Sequence, residues 1–497
     1  MNYISTRGAS APVSSAEAIK KGLAPDGGLY MPETLPRFEK GMLDELRKMS
    51  YPERAAKILS LFLTDYDPKR LAADCQAAYS KEKFPAESAA PLRLSDSRVA
   101  VLELWHGPTS AFKDMALQIM PYLLSRALEM TGEKKKAHIL VATSGDTGKA
   151  ALEGYRDVPG VAMTVFYPQK GVSRIQKLQM ATQQGANVSV HSVVGNFDDA
   201  QSGVKKLFSD PALAEKLNAN GFFFSSANSI NWGRLAPQIA YYVSAWCDAV
   251  NSGFIGEGET ADVCVPTGNF GNIFAAYIAK KCGLPLGRLV CASNRNKVLT
   301  DFFETGIYDR RREFFTTTSP SMDILISSNL ERLLYLCAGP EKTADYMKQL
   351  SENGFYKADD ALRTALSEEF TGLFCTEEEC AARIAATEKE SGYLIDPHTA
   401  VGLDCANRYL ASAAPDRKII CVSTASAFKF APAVLSALGT APSGEDFEDL
   451  AKLEALTGVK APLPLSSLKE KAIRFDPDAA IAPAEMEAAV LADEKLF

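Results

Sequence analysis

The sequence has little of what metal, disulfide and membrane sites require. Its ten cysteines form no CxxC pair, and its four histidines show no HExxH or similar metal-binding spacing. No apolar run reaches the roughly 18 residues needed to span a bilayer, and the N-terminus lacks the charged-then-apolar pattern of a secretion signal. We therefore expect reduced, buried thiols, no metal site and no membrane association. A cytoplasmic location is the simplest expectation, and a form that has lost a transit peptide stays an alternative.

Excess charge of one sign is also missing. The 497 residues are 46% hydrophobic and 23% charged, with a net charge of −7 and both signs spread along the chain. This balance is typical of a soluble protein of two or three domains. It argues against a nucleic-acid-binding surface, and a small anionic substrate would need a local basic pocket.

The periodicity of apolar residues divides the chain into three parts. Residues 1–90 predict a helical N-terminal domain, residues 91–440 a core of alternating strands and helices, and residues 441–497 a tail packed on that core. The alternation favours an α/β fold with parallel sheets covered by helices on both faces. Strands are predicted at 99–103, 137–142, 161–167, 187–193, 222–225, 262–265, 288–292 and 418–422. Helices are predicted at 55–63, 71–81, 148–155, 173–184, 197–208 and 235–250, and the stretch from about 295 to 390 is predicted to be helical and charged.

One lysine lies in a setting that lysine normally avoids. Lys113 follows the small and apolar run from His106 to Phe112 and directly precedes a helical pattern. The start of a helix disfavours an ammonium group, and burial does the same. Both effects favour a neutral amine, the form that attacks a carbonyl to make a Schiff base. The alternative is a surface lysine whose charged end reaches solvent.

A second segment has the pattern of a phosphate-binding turn. Pro266–Asn272 carries Gly268 and Gly271 between an apolar strand and a helix. Backbone N–H groups at such a helix start bind phosphate, although the turn alone is also compatible with an ordinary strand-to-helix connection. Neither the P-loop nor the dinucleotide pattern is present. A Schiff-base lysine together with a phosphate cradle is what pyridoxal 5′-phosphate requires.

Together with these two segments, several further motifs resemble the threonine synthase family of fold-type II pyridoxal-phosphate enzymes. They are Tyr3–Gly8, Gly22–Pro32, Ala142–Gly148, Ser226–Arg234 and Ser423–Ala425. The resemblance covers most of the chain. It implies the tryptophan synthase β type of fold, with two doubly wound parallel-sheet lobes around a cleft and a helical N-terminal domain. One of the lobes, expected to be mobile, would span about residues 100–235.

The resemblance also implies roles for the cofactor-binding residues. Lys113 would carry the cofactor, and Gly268, Asn269, Phe270, Gly271 and Asn272 would cradle its phosphate, although the Phe270 side chain also suits the core. Thr424 would face the ring nitrogen, where a neutral hydroxyl makes the ring a moderate electron sink. The alternative for Thr424 is a cap of the following helix.

Two polar segments are the candidates for binding substrate. By resemblance, Thr143, Ser144, Asp146 and Thr147 would take the α-carboxylate of an amino acid, with Asp146 alternatively serving only as a helix N-cap. Asn228, Ser229 and Arg234 would take a substrate phosphate, for which a guanidinium is well suited. The alternatives are Arg234 on a helix surface, or Lys149, Lys170 and Arg174 as phosphate ligands.

The resemblance implies that O-phospho-L-homoserine and water give L-threonine and phosphate, by γ-elimination and β-hydration. This reaction is the last step of threonine biosynthesis. A related phospholyase that releases a 2-oxo acid, a β-replacement enzyme and a non-catalytic cofactor-binding relative stay as alternatives. A monomer or homodimer is expected.

Overall fold

The computed structural model describes residues 1–143, 145–170 and 172–494. The strands are β1 Tyr3–Ser5, β2 Tyr30–Pro32, β3 Leu92–Leu94, β4 Val99–Glu103, β5 Lys136–Ala142, β6 Val161–Pro168, β7 Val188–Val193, β8 Phe222–Ser225, β9 Ala261–Pro266, β10 Leu286–Ser293, β11 Ile307–Asp309, β12 Phe355–Lys357, β13 Phe370–Phe374, β14 Ile419–Ser423 and β15 Ala480–Ile481. Each strand predicted from the sequence is present, with bounds that agree to within about two residues.

Helices occupy most of the remaining chain. They are α1 Ser15–Lys21, α2 Lys40–Leu46, α3 Tyr51–Phe62, α4 Pro68–Ala78, α5 Asp114–Leu117, α6 Met120–Met130, α7 Asp146–Tyr155, α8 Arg174–Ala181, α9 Phe197–Phe208, α10 Pro211–Ala219, α11 Trp232–Asn251, α12 Gly271–Lys281, α13 Val298–Thr305, α14 Leu330–Ala338, α15 Pro340–Asn353, α16 Asp360–Glu369, α17 Glu377–Ser391, α18 Pro397–Ser412, α19 Ala431–Ala437, α20 Asp446–Thr457, α21 Leu463–Ser466 and α22 Met486–Glu494. Short 3₁₀ turns lie at Pro320–Met322, Ala427–Phe430, Ser467–Glu470 and Pro483–Glu485.

The larger sheet has six strands in the order β13-β10-β9-β14-β4-β3. Its neighbouring strands run parallel, except for the β3–β4 pair at one edge. Strands β4 and β14 are buried along their whole length, as expected where helices cover both faces. Strand β13 lies in the stretch predicted to be helical. It escapes prediction because it follows α16 without an intervening turn residue.

The smaller sheet has five parallel strands in the order β15-β7-β6-β5-β8. All eight residues of its central strand β6 are buried. The edge strand β15 comes from the C-terminal tail, and Asp493 in the same tail accepts a hydrogen bond from Thr164 Oγ1 at 2.7 Å. The tail therefore completes the smaller sheet as well as packing on the core.

The N-terminal part combines helices α1–α4 with the antiparallel pair β1–β2. Local capping explains one of these helices: Pro68 is its first residue, and the preceding Asp67 accepts a hydrogen bond from the N–H of Arg70. The 20-residue helix α11 is buried on nearly every side, and it contacts α3 as well as α5 and α12 of the core. This helix therefore connects the N-terminal part to the elements that carry the candidate site.

The ten cysteines all lie in the described ranges as unpaired thiols. Within those ranges, the ligand atoms of Cys375, Glu379 and Asp404 lie within 4.8 Å of one another. Arg408 Nε lies 2.8 Å from the Asp404 carboxylate and already supplies it with a cation. Of the helices in the described residues, none is both long and apolar enough to cross a bilayer.

Candidate active site

The candidate residues lie at or beyond the carboxyl ends of five parallel strands, three in the larger sheet and two in the smaller one. Strand β4 leads to residues 106–113, here called the lysine loop, and β9 leads to residues 266–272, here called the glycine turn. Strand β14 leads to Thr424. Strands β5 and β8 lead to the two candidate substrate segments. In open α/β sheets, ligands bind in crevices at this edge. The two sheets bring segments that are far apart in sequence to one place.

Lys113 lies directly before helix α5, in a loop that is paired to the end of β14. The N–H of Phe112 donates to the Thr424 carbonyl at 2.8 Å, and the N–H of Ser426 donates to the Ser110 carbonyl at 3.1 Å. Burial lowers the pKa of Lys113 to about 8, and the nearby Arg234 guanidinium acts in the same direction. A much larger fraction of this amine is therefore neutral near physiological pH than of an ordinary lysine, which favours its predicted role.

The lysine loop is fixed by the carboxyl group that follows it. Asp114 is buried and accepts hydrogen bonds from the N–H and the hydroxyl of Thr109, both at 2.8 Å. Burial raises the pKa of Asp114 to about 7. A β-carbon at Gly107 would lie 2.5 Å from an Asp114 oxygen, so only glycine fits there.

The glycine turn has the form of a phosphate cradle. Phe270 adopts the left-handed conformation (φ 63°) directly before helix α12, and its side chain packs against Phe303 and Phe370, so the core alternative for that side chain is confirmed. The first N–H groups of α12 have no acceptor within the helix. Asn272 Oδ1 accepts hydrogen bonds from two tyrosine hydroxyls, whereas its buried Nδ2 finds no acceptor in the described part of the chain.

A segment that the sequence analysis did not single out closes the cradle from the other side. Ser327 Oγ donates to the Gly268 carbonyl at 2.7 Å. Asn329 donates to the Asn269 carbonyl from both its N–H (3.1 Å) and its Nδ2 (3.0 Å). Its Nδ2 also lies 3.3 Å from Ser229 Oγ. One asparagine thus joins the cradle to a candidate substrate segment.

These groups fit pyridoxal 5′-phosphate. An unsatisfied buried amide donor and free helix N–H groups suit a phosphate, and a lysine of lowered pKa suits an aldehyde. Thr424 is 6% exposed and directly follows β14, which lies between β9 and β4 in the larger sheet. The helix-cap alternative for Thr424 is wrong, because Ser426 is the residue that caps the following turn.

The turn after β5 presents the first candidate substrate segment, in which Ser144 lies outside the described residues. Thr143 Oγ1 accepts hydrogen bonds from Gly145 N at 3.0 Å and Gly148 N at 2.9 Å, and Thr147 is half-buried. Asp146 is the first residue of α7 and not its cap, since Gly145 occupies the cap position. The role of the Thr143, Ser144, Asp146 and Thr147 segment in binding a carboxylate stays a prediction.

The Asp146 carboxylate instead takes part in a buried ion pair. Lys429 Nζ lies 2.6 Å from its Oδ1, and Gln176 Nε2 donates to the same oxygen at 2.8 Å. Burial alone would raise the pKa of Asp146, but Lys429 and Gln176 hold it below the usual value. The group is therefore an anion with a cation in contact.

Arg234 is buried and lacks an anionic partner. It is 2% exposed, which contradicts the helix-surface alternative. Its Nη1 donates to the Ala227 carbonyl, while its Nε has no acceptor and no carboxylate pairs with it among the residues described. Burying a guanidinium without an anion is costly, so this geometry favours an anionic ligand. Asn228 and Ser229 are half-buried on the same segment.

The alternative phosphate ligands are engaged or exposed. Lys149 Nζ contacts Glu153 at 3.1 Å and also Gln183. Arg174 Nε lies 3.4 Å from Asp446, and Lys170 is exposed. This distribution favours Arg234 over the other three.

Three family models together match nearly the whole length of the chain. Residues 2–79 match the model described as "Threonine synthase N terminus", residues 85–425 "Pyridoxal-phosphate dependent enzyme", and residues 399–462 "Threonine synthase, C-terminal". The chain belongs to the threonine synthase family of pyridoxal-phosphate-dependent enzymes. The predicted family, fold type and cofactor are thereby confirmed.

Individual relatives of the family agree with this assignment. The human protein "Threonine synthase-like 1" is 42% identical over 435 residues, which cover 85% of this chain and 58% of that protein. The chain thus spans little more than half the length of these relatives. Threonine synthase from Saccharomyces cerevisiae is 38% identical over 470 residues, covering 88% and 89%. The structure of pyridoxal-phosphate-bound threonine synthase from Brucella melitensis superimposes with a TM-score of 0.88 at 34% identity and covers all of both chains.

Sequence reasoning missed three residues that contact the candidate site: Ser327, Asn329 and Lys429. Lys429 carried a signal, since it lies among Ala427, Phe428 and Phe430 shortly after a strand, much as Lys113 does. Asn329 carried none, because its partner Asn269 is 60 residues away in an unrelated motif.

Proposed function

We propose that this chain converts O-phospho-L-homoserine and water to L-threonine and phosphate. The observation that carries the proposal is the buried, unpaired guanidinium of Arg234, whose charge acts on Lys113. A substrate that reaches both groups carries an anion at one end and a reacting amino acid at the other. Family membership supports the same reaction.

Bound pyridoxal phosphate would supply an electron sink for negative charge on the substrate carbons. We propose that Lys113 holds it at one end, that Gly268–Asn272 hold its phosphate and that Thr424 contacts its ring. The lowered pKa of Lys113 leaves its Nζ able to accept a proton. That atom would take a proton from the α-carbon of the substrate and then one from the β-carbon.

The remaining residues would bind the substrate by its two ends. Asn228, Ser229 and Arg234 would hold the phosphate and stabilise it as it leaves the γ-carbon, where charge develops in the transition state. Thr143, Ser144, Asp146 and Thr147 belong to the turn that would hold the α-carboxylate. The two protons taken by Lys113 would be returned to the substrate, one to the γ-carbon, which becomes the methyl group once phosphate has left, and one to the α-carbon in the last step. Water would add its hydroxyl at the β-carbon and give its proton to the released phosphate, which completes L-threonine.

A phospholyase that releases phosphate and a 2-oxo acid is the second candidate. The threonine synthase-like 1 proteins share more sequence identity with this chain than the compared threonine synthases do, so identity alone does not assign the product. A non-catalytic cofactor-binding relative would retain the cofactor and release no phosphate.

Product identification separates the three possibilities. Purified, cofactor-loaded protein is incubated with O-phospho-L-homoserine, and phosphate, L-threonine and 2-oxo acid are quantified. We expect equal amounts of phosphate and L-threonine; a 2-oxo acid in place of L-threonine, or no phosphate, would refute the proposal. The matched control is Lys113→Ala, which should lose both turnover and the visible absorbance of the bound cofactor. Borohydride reduction followed by mass spectrometry should find the added mass of the cofactor on Lys113.

A further inference from the structure

A buried salt bridge joins the carboxyl ends of the two sheets. Lys429 lies in the 3₁₀ turn after β14 of the larger sheet, and Asp146 begins α7 after β5 of the smaller one. Their charged atoms are 2.6 Å apart, the Lys429 side chain is fully buried and the Asp146 side chain is 6% exposed.

The same two groups hold the loops on either side of the site. Lys429 Nζ also donates to the Thr109 carbonyl in the lysine loop at 3.0 Å. Asp146 accepts a hydrogen bond from the side chain of Gln176. The backbone N–H of Gln176 in turn donates to the hydroxyl of Ser173, which caps α8. The lysine loop, α7 and α8 therefore meet at one ion pair. Removing one partner of a buried pair leaves an uncompensated charge, so the loss of either side chain alone would destabilise this junction.

The charge of Asp146 conflicts with the proposed use of its turn. A carboxylate in the turn repels a second carboxylate, yet this turn is the candidate for the substrate's α-carboxylate. The contact with Lys429 removes the conflict, because the pair as a whole is neutral.

We propose that Lys429 is a positioning residue for the substrate's α-carboxylate: it neutralises Asp146 and fixes the start of α7 against the lysine loop. The proposal rests on the proposed function for the location of the carboxylate. It assigns a role to Lys429 that differs from that of Lys113, since Lys429 acts through Asp146.

Ligand titrations on cofactor-loaded protein test this role without turnover. The probes are a phosphonate analogue of the substrate, in which carbon replaces the ester oxygen, and inorganic phosphate, each followed by the change in cofactor absorbance or by competition. In Lys429→Met, the Asp146 carboxylate loses its cation and repels the carboxylate of the analogue. We therefore expect affinity for the analogue to fall about tenfold or more. Affinity for inorganic phosphate should stay unchanged, because Arg234 is untouched.

A double variant gives the sharper outcome. Lys429→Met with Asp146→Asn removes both charges, so affinity for the analogue should recover part of the loss seen in Lys429→Met alone. A variant that only loosens the fold would bind worse after a second change. Lys429→Arg, which keeps the charge, should lie between wild type and Lys429→Met. Lys452→Met, at a partly exposed lysine of α20 paired with Glu448, is the matched control and should bind as wild type does.

Three results would overturn the proposal. They are wild-type affinity for the analogue in Lys429→Met, equal losses for the analogue and for inorganic phosphate, and a double variant no better than Lys429→Met. The outcome is independent of the product assay on wild-type protein. A wild type that makes no L-threonine but follows the expected pattern of affinities would refute the proposed reaction and leave the role of Lys429 in place.

Discussion

Asn329 donates from Nδ2 to the backbone carbonyl of Asn269 at 3.0 Å, so a residue outside the glycine turn holds that turn in place. Arg332, one turn further along, donates to Asn329 Oδ1 and to the Tyr30 carbonyl. The N-terminal domain thereby supports the cradle through two residues. Ser229 contacts the same Asn329 amide, so the candidate cofactor segment and the candidate substrate segment are both held by Asn329.

Replacing Asn329 with alanine should weaken cofactor binding. The Asn269 carbonyl loses one donor and Arg332 loses an acceptor, and buried hydrogen bonds of this kind are worth about 1–3 kcal/mol. We expect the dissociation constant of pyridoxal phosphate to rise about tenfold or more, measured by equilibrium dialysis or by titration of cofactor absorbance. The exposed Asn353 gives the control Asn353→Ala, which should bind normally. Equal affinity in both variants would contradict this role of Asn329.

Replacing Arg234 with methionine should abolish recognition of the phosphorylated end of the substrate while the cofactor stays bound. Loss of a buried charge partner costs about 2–5 kcal/mol, so KM for O-phospho-L-homoserine should rise by roughly 100-fold. Steady-state kinetics and inhibition by inorganic phosphate measure the effect, with the exposed Arg70→Met as control. Loss of the cofactor from Arg234→Met would instead assign the residue a structural role.

Features that depend on neighbouring residues were predictable from the sequence. Helix Phe197–Phe208 and strand Val99–Glu103 have the predicted bounds, because their apolar spacing matches one period without interruption. Lys113 and the glycine turn were predictable for a similar reason. Each places its chemistry within a few residues: an amine in an apolar loop, or glycines between a strand and a helix.

Features that depend on residues distant in the sequence were not predictable from it. The identity of Asp146 as half of an ion pair requires Lys429, which belongs to a different sheet. A cap was the natural expectation for an aspartate at a helix start, and the structure shows that Gly145 takes that place. Strand β15 is only two residues long, so its sequence carries no alternation that could reveal it.

The amine of Lys113 should react with acylating reagents at a lower pH than an ordinary lysine does. Burial and the nearby Arg234 lower its pKa to about 8, so the neutral, reactive form increases as pH rises through that value. Cofactor-free protein is labelled briefly at a series of pH values, and peptide mass spectrometry compares Lys113 with an added lysine peptide. Identical pH midpoints for the two amines would argue that Lys113 is not perturbed.

Asp114 should make the protein less stable as pH rises from acidic to neutral. Its pKa is raised from 3.8 to about 7 by burial, so between these values the folded state keeps a proton that the unfolded state releases. Stability from this group is complete below about pH 4 and is lost through about pH 7. In Asp114→Asn the titration is absent, so the Tm of the variant relative to wild type should rise across this range. Parallel Tm curves for the two proteins would contradict the assignment.

Replacing Gly268 with alanine should disturb the cradle without unfolding the protein. A β-carbon at this position would lie 2.7 Å from the Ser321 carbonyl oxygen, a contact too close for carbon, so the turn or the 319–329 segment must shift. The shift moves backbone donors away from the position proposed for the phosphate. We therefore expect the affinity for the cofactor to fall clearly while the melting temperature changes little. Gly41→Ala is the matched control, because a β-carbon there meets nothing within 4 Å in helix α2. Cofactor titration and thermal unfolding of both variants decide the matter: a Gly268→Ala protein that binds the cofactor as tightly as Gly41→Ala does would show that this turn does not hold the phosphate.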